Sequence, residues 1–503
     1  MSSGRRLAWN SFLNVLGHAA PFVVAFLAVP VLLRALGTER FGILSLGWAV
    51  IGYFGYFDLG LGRALTRLVS ERLAGRDRDA LDALVWTAFR LLLLLGLLGW
   101  LAASLMTPWL VGRALGISPA LQDEARWGFY VLAAAVPATV VTSGLRGLLE
   151  AYQRFDLVNA ARVPLGILNY AAPLAALPFT RNLAVVLLVL LASRLLGVAV
   201  HLAFCFVVQP SLKKAVLGPS SPVGPLVRSG GWFTVSSVVS PLMGTLDRFL
   251  IGAIISAAAV AYYAAPFELV SKLLVVPGAV AAVLFPAFAA TAVGTPEAAQ
   301  RLFDRGLKLI GVALFPLILL VTTFAPEGLR LWMGPDVASQ STLVLQVLAI
   351  GVFCNGLAQV PFYLIQGAGR PVVAATLHLV ELPMYLALAW LLIARLGIAG
   401  AAMAWTLRVA VDGLVLFVLA RREPGTSGGR LRPRLQAALA GAVVVLGVSV
   451  LLSGQTIGTR VAFVLVITAA FGVTAWRALM DQDERRAVLQ VRDAGFRRLA
   501  ALR

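Results

Sequence analysis

Residues 183–208 read LAVVLLVLLASRLLGVAVHLAFCFVV, twenty-six positions with one arginine, one histidine and no acid. As a helix this run rises about 39 Å, enough to cross a hydrocarbon core about 30 Å thick. It carries no polar stripe, so an apolar medium surrounds it on every side. Comparable runs fall near 9–33, 41–62, 84–107, 127–149, 157–179, 230–255, 258–289, 306–325, 341–366, 371–394, 397–420, 435–453 and 459–476. Of 503 residues, 60% are hydrophobic and 13% charged, about half the charged fraction of a soluble domain. No strand-length alternation of polar and apolar residues appears, which excludes a β-barrel. In lipid that leaves a helical bundle, whose backbone satisfies itself. The expected class is an all-α integral membrane protein of about fourteen transmembrane helices.

The net charge of +19 follows the loops. With the N-terminus inside, thirty of the 42 Lys and Arg residues fall in inner segments and eight in outer ones. This asymmetry places both termini in the cytoplasm and points the basic residues at anionic lipid head groups. Nucleic acid is therefore not an expected partner. Cys205 and Cys354 lie far apart in apolar spans, and there are three histidines, so neither a disulfide framework nor a zinc site is expected. Arg5-Arg6 and the long apolar run after them read as a first membrane helix rather than a signal peptide.

The stretch PSLKKAVLGPSSPVGPLVR (210–228) has linker composition and follows six spans. Across it, Gly37-x3-Phe41-Gly42 resembles Ser256-x3-Val260-Ala261, and Gly60 pairs with Gly278. Glu150-Ala-Tyr-Gln-Arg-Phe resembles Gln366-Gly-Ala-Gly-Arg-Pro, and Arg194 pairs with Arg408. All four recur at nearly one spacing, which implies two parallel six-helix lobes related by an axis along the membrane normal. The expected organisation is a first lobe at 1–209, a cytoplasmic linker at 210–229 and a second lobe at 230–420. Two additional helices follow at 421–479, then a cytoplasmic tail at 480–503. That tail reads either as an amphipathic surface helix or as a solvated segment.

Charge inside a membrane costs about 2.5–3.5 kcal/mol at mid-span, so each such residue needs a partner or a wet cavity. The intramembrane set is Asp58, Arg194, Asp247, Arg248, Glu268, Lys272, Glu381, Arg408 and Asp412, with His201 and His378. Glu268/Lys272 and Arg408/Asp412 are four apart and share a helix face. Pro137, Pro164, Pro173, Pro241, Pro277, Pro316 and Pro383 interrupt spans and permit kinks.

Asn14, Leu36-Gly-Thr-Glu-Arg-Phe-Gly-Ile-Leu-Ser45, Phe57-Asp-Leu-Gly-Leu-Gly62 and Leu246-Asp-Arg-Phe-Leu-Ile-Gly252 give the chain a resemblance to a known family. It resembles the polysaccharide transporter branch of the multidrug/oligosaccharidyl-lipid/polysaccharide (MOP) flippases over residues 9–420. The resemblance implies translocation of polyprenyl-diphosphate-linked oligosaccharide across the bacterial inner membrane by alternating access. It implies drive from a proton or sodium gradient or the membrane potential, with no cofactor; the sequence has no Walker-type phosphate loop. Membrane lipids and a polysaccharide polymerase or ligase would be its partners.

A diphosphate brings about two negative charges that cannot enter hydrocarbon unneutralised. Arg194, Arg248, Lys272 and Arg408 are the expected contacts, with Arg63 and Arg67 at the cytoplasmic mouth. Asp247, Glu268, Glu381 and Asp412 are the ion-coupling candidates. Trp48, Tyr53, Tyr56, Asn169, Tyr170, Tyr262 and Tyr263 could face sugars. The same cations also suit packing struts paired within the bundle, Asp58 suits a helix cap, and aromatic residues near span ends suit interface anchors. A lipid II flippase and a drug/cation antiporter remain alternatives. A membrane glycosyltransferase or ligase is disfavoured, because the outer loop 108–126 offers acids only where a helix begins. No residue is expected to be catalytic or to bind metal.

Overall fold

A computed structural model describes residues 3–55, 57–75, 81–213, 223, 224, 226, 239–291, 296–422, 432–479, 485 and 486. Among these residues every regular element is helical, and ten helical runs are long and apolar enough to cross a membrane. Most of the linker 210–229, residues 423–431 ahead of the two additional helices, and nearly all of the tail 480–503 lie outside the described residues, as does Tyr56.

The first helix, α1 (Ser3–Phe54), has 52 residues. Straight, it would measure about 78 Å, far beyond one bilayer crossing. It bends at Gly37 (φ 79°, ψ 167°), a conformation open to glycine and costly for residues with a Cβ. The bend falls in the turn expected between the first two spans. Then follow α2 (Leu61–Gly75), α3 (Leu81–Trp109), α4 (Gln122–Ala151), α5 (Phe155–Ala176), α6 (Leu183–Val208), α7 (Leu246–Ile254) and α8 (Ala257–Ser271). The remainder is α9 (Val275–Thr291), α10 (Pro296–Thr323), α11 (Ala325–Met333), α12 (Pro335–Gly367), α13 (Pro371–Ala420), α14 (Pro433–Leu451) and α15 (Ile457–Thr474). α13 also bends at a glycine, Gly397 (φ 62°), between two expected spans.

Three local expectations change. The second span stops at Phe54, short of residue 62, and residues 61–75 form a helix where a loop was expected. That helix buries Leu61, Leu65 and Val69, one residue per turn, and leaves its arginines outward. The expected span 258–289 is interrupted by a 3-10 turn at Lys272–Leu274. Pro277 explains the break, since it lacks the N–H that would bond the carbonyl four residues back.

The chain divides into two compact units, residues 1–272 with 371–408, and residues 273–370 with 409–503. In the first, α4 packs on α2, α3 and α6, while α1 packs on α5 and α8. Backbones approach closely at Gly42, where a Cβ would stand 1.8 Å from the Ala257 carbonyl oxygen. In the second unit, α12 packs on α9, α10 and α11, and α14 lies on α10 and α12. Ser449 donates to Thr322 Oγ1 at 2.7 Å, and Gln346 donates to the Thr322 carbonyl at 2.8 Å, so buried hydrogen bonds tie both α14 and α12 to α10.

Arg460, counted in sequence as an outer-segment charge, is buried and grips Glu327 through two nitrogens at 3.0 and 2.5 Å. Its side chain is 5% exposed and that of Glu327 41%, so the two partners are not equivalent. Glu327→Ala strands a buried guanidinium and is expected to cost about 3 kcal/mol, whereas Arg460→Met leaves a carboxylate that water can reach. Thermal unfolding of the purified protein checks this; a larger loss for Arg460→Met would contradict the assignment.

Candidate functional site

Five helices of the first unit enclose a cavity of about 400 Å³. The second arm of α1 contributes Trp48, Ile51 and Gly52, with Gly55 just past its end, and α4 contributes Thr139, Thr142, Ser143 and Arg146. Both sets are spaced by three, four and seven positions, one helical face each. α5 adds Leu165, Asn169 and Tyr170; α6 adds Ser193, Arg194 and Gly197; Glu268 of α8 and Lys272 complete the wall.

Glu268 is the hub. It accepts from Arg248 at 3.1 Å, pairs with Lys272 at 3.2 Å and accepts from the Tyr170 hydroxyl at 3.2 Å. The Arg248 guanidinium also lies 5.1 Å from the Phe267 ring centre. Arg194 donates to the Asn169 side-chain carbonyl, a neutral partner that leaves its charge uncompensated. Arg194, Lys272 and Arg248 stand against Glu268 and, beside Arg248, Asp247, which leaves this cluster about one net positive charge, and Arg146 of the lining adds a second. Trp48 Nε1 and Arg194 Nε are buried and have no acceptor among the described residues. A buried N–H left so costs about 1–3 kcal/mol, and a ligand rich in acceptor oxygens would recover it.

Behind the hub, Asp247 is fully buried, accepting from the Tyr263 hydroxyl at 2.5 Å and from the Arg248 backbone N–H at 2.7 Å. Arg408 stands over the Tyr385 ring, 5.9 Å from its centre, and does not line the cavity. Glu381 and Asp412 are buried in the two arms of α13, likewise outside the lining. Of the expected cations, then, Arg194 and Lys272 line the cavity, Arg248 supports it through Glu268, and Arg408 stands apart. Of the aromatic and amide candidates, Trp48, Asn169 and Tyr170 line it, whereas Tyr263 is buried on Asp247. Arg146, read in sequence as a loop charge, lines the cavity. The polar spacing Thr139, Thr142, Ser143, Arg146 was the signal that would have found it.

A smaller pocket of about 60 Å³ shares Gly55, Ser143 and Arg146 with the cavity and adds Asp58, Arg63 and Glu150. Asp58 accepts from the backbone N–H groups of Gly60 (3.0 Å) and Gly62 (3.2 Å), so it caps the start of α2. Arg67 is exposed and paired with Glu71 at 2.8 Å. The opposite end of the α1 arm is tied shut. Arg40 forks onto Glu124 at 2.9 Å through both nitrogens, and Glu39 accepts from Ser118 N at 2.6 Å. There Gly116 donates to the Gly252 carbonyl at 2.8 Å, and Ala257 N–H donates to the Gly116 carbonyl at 3.1 Å. The cavity is therefore approached from the Arg63–Arg146 end.

Residues 7–292 match a family described as polysaccharide biosynthesis protein. A Shigella flexneri protein described as an O-antigen transporter is 29% identical over 416 residues, covering 81% of this chain and 96% of its own. Among solved structures, an inward-facing multidrug resistance MATE family transporter of the MOP superfamily has a TM-score of 0.70 at 16% identity, covering 85% of this chain and 99% of that one. The lipid II flippase MurJ, in an inward closed conformation, has a TM-score of 0.68 at 12% identity, covering 94% and 100%. The resemblance to MOP transporters read from the sequence is thus borne out in the fold, and each of these similar proteins is a transporter or flippase, not an enzyme.

Proposed function

The chain belongs to the polysaccharide biosynthesis protein family, and on that premise we propose that it is a flippase for polyprenyl-diphosphate-linked oligosaccharide. It works in the bacterial inner membrane by alternating access. The carrying observation is the cavity in which Arg146, Arg194 and Lys272 outnumber Glu268. Two net positive charges match the roughly two negative charges of a diphosphate, which must be neutralised before it leaves water. Trp48, Tyr170 and Asn169 offer the ring faces and amide edges that sugars use. A cavity for cationic drugs needs the opposite balance of charge.

In this reading the chain makes fourteen passes, with two at each glycine-bent helix, and both termini are cytoplasmic. Twelve passes form the two six-helix lobes, and α14 and α15 follow them. The Arg63–Arg146 mouth then faces the cytoplasm, where Arg63 and Arg67 attract the anionic head group. Asp247, Glu268, Glu381 and Asp412 are the groups through which a proton or sodium gradient acts, and a polymerase or ligase takes the product on the far side.

Reconstituted protein in liposomes tests this. It is expected to move a polyprenyl-diphosphate-linked oligosaccharide between leaflets without ATP, and not to exchange an organic cation for protons. Cation exchange without lipid-linked transport would replace the reading by the antiporter. Transport of lipid II alone would keep the flippase but change its substrate.

A further inference from the structure

The polar groups around the cation cavity differ in what they have left to offer a ligand. A hydroxyl carries one hydrogen and two lone pairs. On α4, Thr139 gives its hydrogen to the Ala135 carbonyl at 2.8 Å, Thr142 to Ala138 at 2.7 Å and Ser143 to Val140 at 2.8 Å. Ser193 of α6 does the same with Leu190 at 2.6 Å. Each bond runs back three or four positions along its own helix. All four residues line the cavity, and with their hydrogens committed they offer it lone pairs.

Other lining groups have the opposite bias. Trp48 Nε1 and Arg194 Nε are donors with no acceptor among the described residues, and the Lys272 ammonium only donates. A diphosphate ester at neutral pH has no hydrogen to give. Against Trp48, Arg194 and Lys272 it meets donors. Against Thr139, Thr142 and Ser143 oxygen would meet oxygen, and each hydroxyl would have to give up its carbonyl to turn a hydrogen outward. A sugar hydroxyl donates to those three oxygens without disturbing them. Thr139 and Ser143 stand about 6 Å apart at helical rise, so one sugar ring can reach the whole row. The diphosphate already matches the net charge of the cavity, so no cation is left over for a second anionic group.

We propose that the hydroxyl face of α4 is a sugar subsite, where Thr139, Thr142 and Ser143 accept from the sugar next to the diphosphate. The diphosphate itself lies on Trp48, Arg194 and Lys272. This rests on the flippase reading and narrows its substrate to one with a neutral, hydroxyl-bearing first sugar. A uronic acid in that place would set a carboxylate, which only accepts, against oxygens whose hydrogens are already spent.

The test measures binding to the full chain in nanodiscs with three probes: a polyprenyl diphosphate, its hexose conjugate and its hexuronate conjugate. The wild type is expected to bind the hexose at least about tenfold more tightly than the hexuronate, a comparison that needs no variant. Thr139→Val/Thr142→Val keeps the β-branches and removes the two oxygens. It should weaken the hexose at least about tenfold and leave the bare diphosphate within about twofold. Thr139→Ser/Thr142→Ser, which keeps the oxygens, should hold hexose affinity near the wild-type level, and Arg194→Met should weaken all three probes. Equal losses for hexose and bare diphosphate in the valine protein overturn the subsite, because the threonines then act on the diphosphate or on the fold. A hexuronate bound as tightly as the hexose overturns it too and leaves the flippase standing. Binding of none of the three by the wild type overturns both readings.

Discussion

Replacing Arg194 and Lys272 together by methionine is expected to lower transport of a lipid-linked diphosphate by at least about 100-fold in a protein that still folds. A hydrogen bond to a charged group contributes about 1.5–3 kcal/mol, and each 1.4 kcal/mol is a factor of ten. Folding should survive because neither change strands a charge. Arg194 is held by the neutral Asn169, and Glu268 keeps Arg248 and Tyr170 when Lys272 is gone. Glu268→Gln supplies the opposite sign. It raises the positive balance of the cavity, so the diphosphate should bind more tightly and leave more slowly. Initial rates in proteoliposomes, with head-group affinity measured on the same preparations, decide the matter. Near-normal rates in the double variant would make these cations packing struts.

The second large effect concerns the closed end. A Cβ on Gly116 would lie 3.1 Å from Ser256 Cα, close enough that cysteines at 116 and 256 should bridge. Oxidised Gly116→Cys/Ser256→Cys protein is expected to lose transport almost wholly and to regain it on reduction, since in the proposed alternating access the clasp parts for release on the far side. Ser256 caps α8 through Ala259 N–H at 3.1 Å, so the variant also gives up about 1 kcal/mol of helix stability; the reduced form controls for that loss. Transport persisting in protein shown by mass spectrometry to be bridged would mean that this clasp stays closed throughout the cycle.

The two effects separate binding from motion. Removing Arg194 and Lys272 should abolish head-group affinity as well as transport. Bridging the clasp should leave affinity at the Arg63–Arg146 end intact. A protein that merely holds lipid-linked sugar would show the first effect and not the second.

Much of this was legible in residue order. The length of apolar runs fixed the helical class, because lipid offers backbone groups no other partner. Gly37 and Gly397 fell where turns were expected. The ion pair Glu268/Lys272 followed from helical spacing alone. Four features depended on contacts distant in sequence. Arg248 joins Glu268 across twenty positions, and Arg460 reaches Glu327 across 133. Arg194 lines the cavity while its repeat partner Arg408 rests on Tyr385, although sequence treats them alike. Arg146 looked like one more inner-segment charge until α4 turned its polar edge toward α1 and α6.

The sequence by itself determined the solvent this chain lives in, the helices it must form and the family it belongs to, since these depend on composition, run length and local motif. Only the tertiary structure decided which charges share a cavity and which are sealed against one another. The physical reason is that a charge in a membrane takes its meaning from its nearest partner, and that partner is chosen by packing.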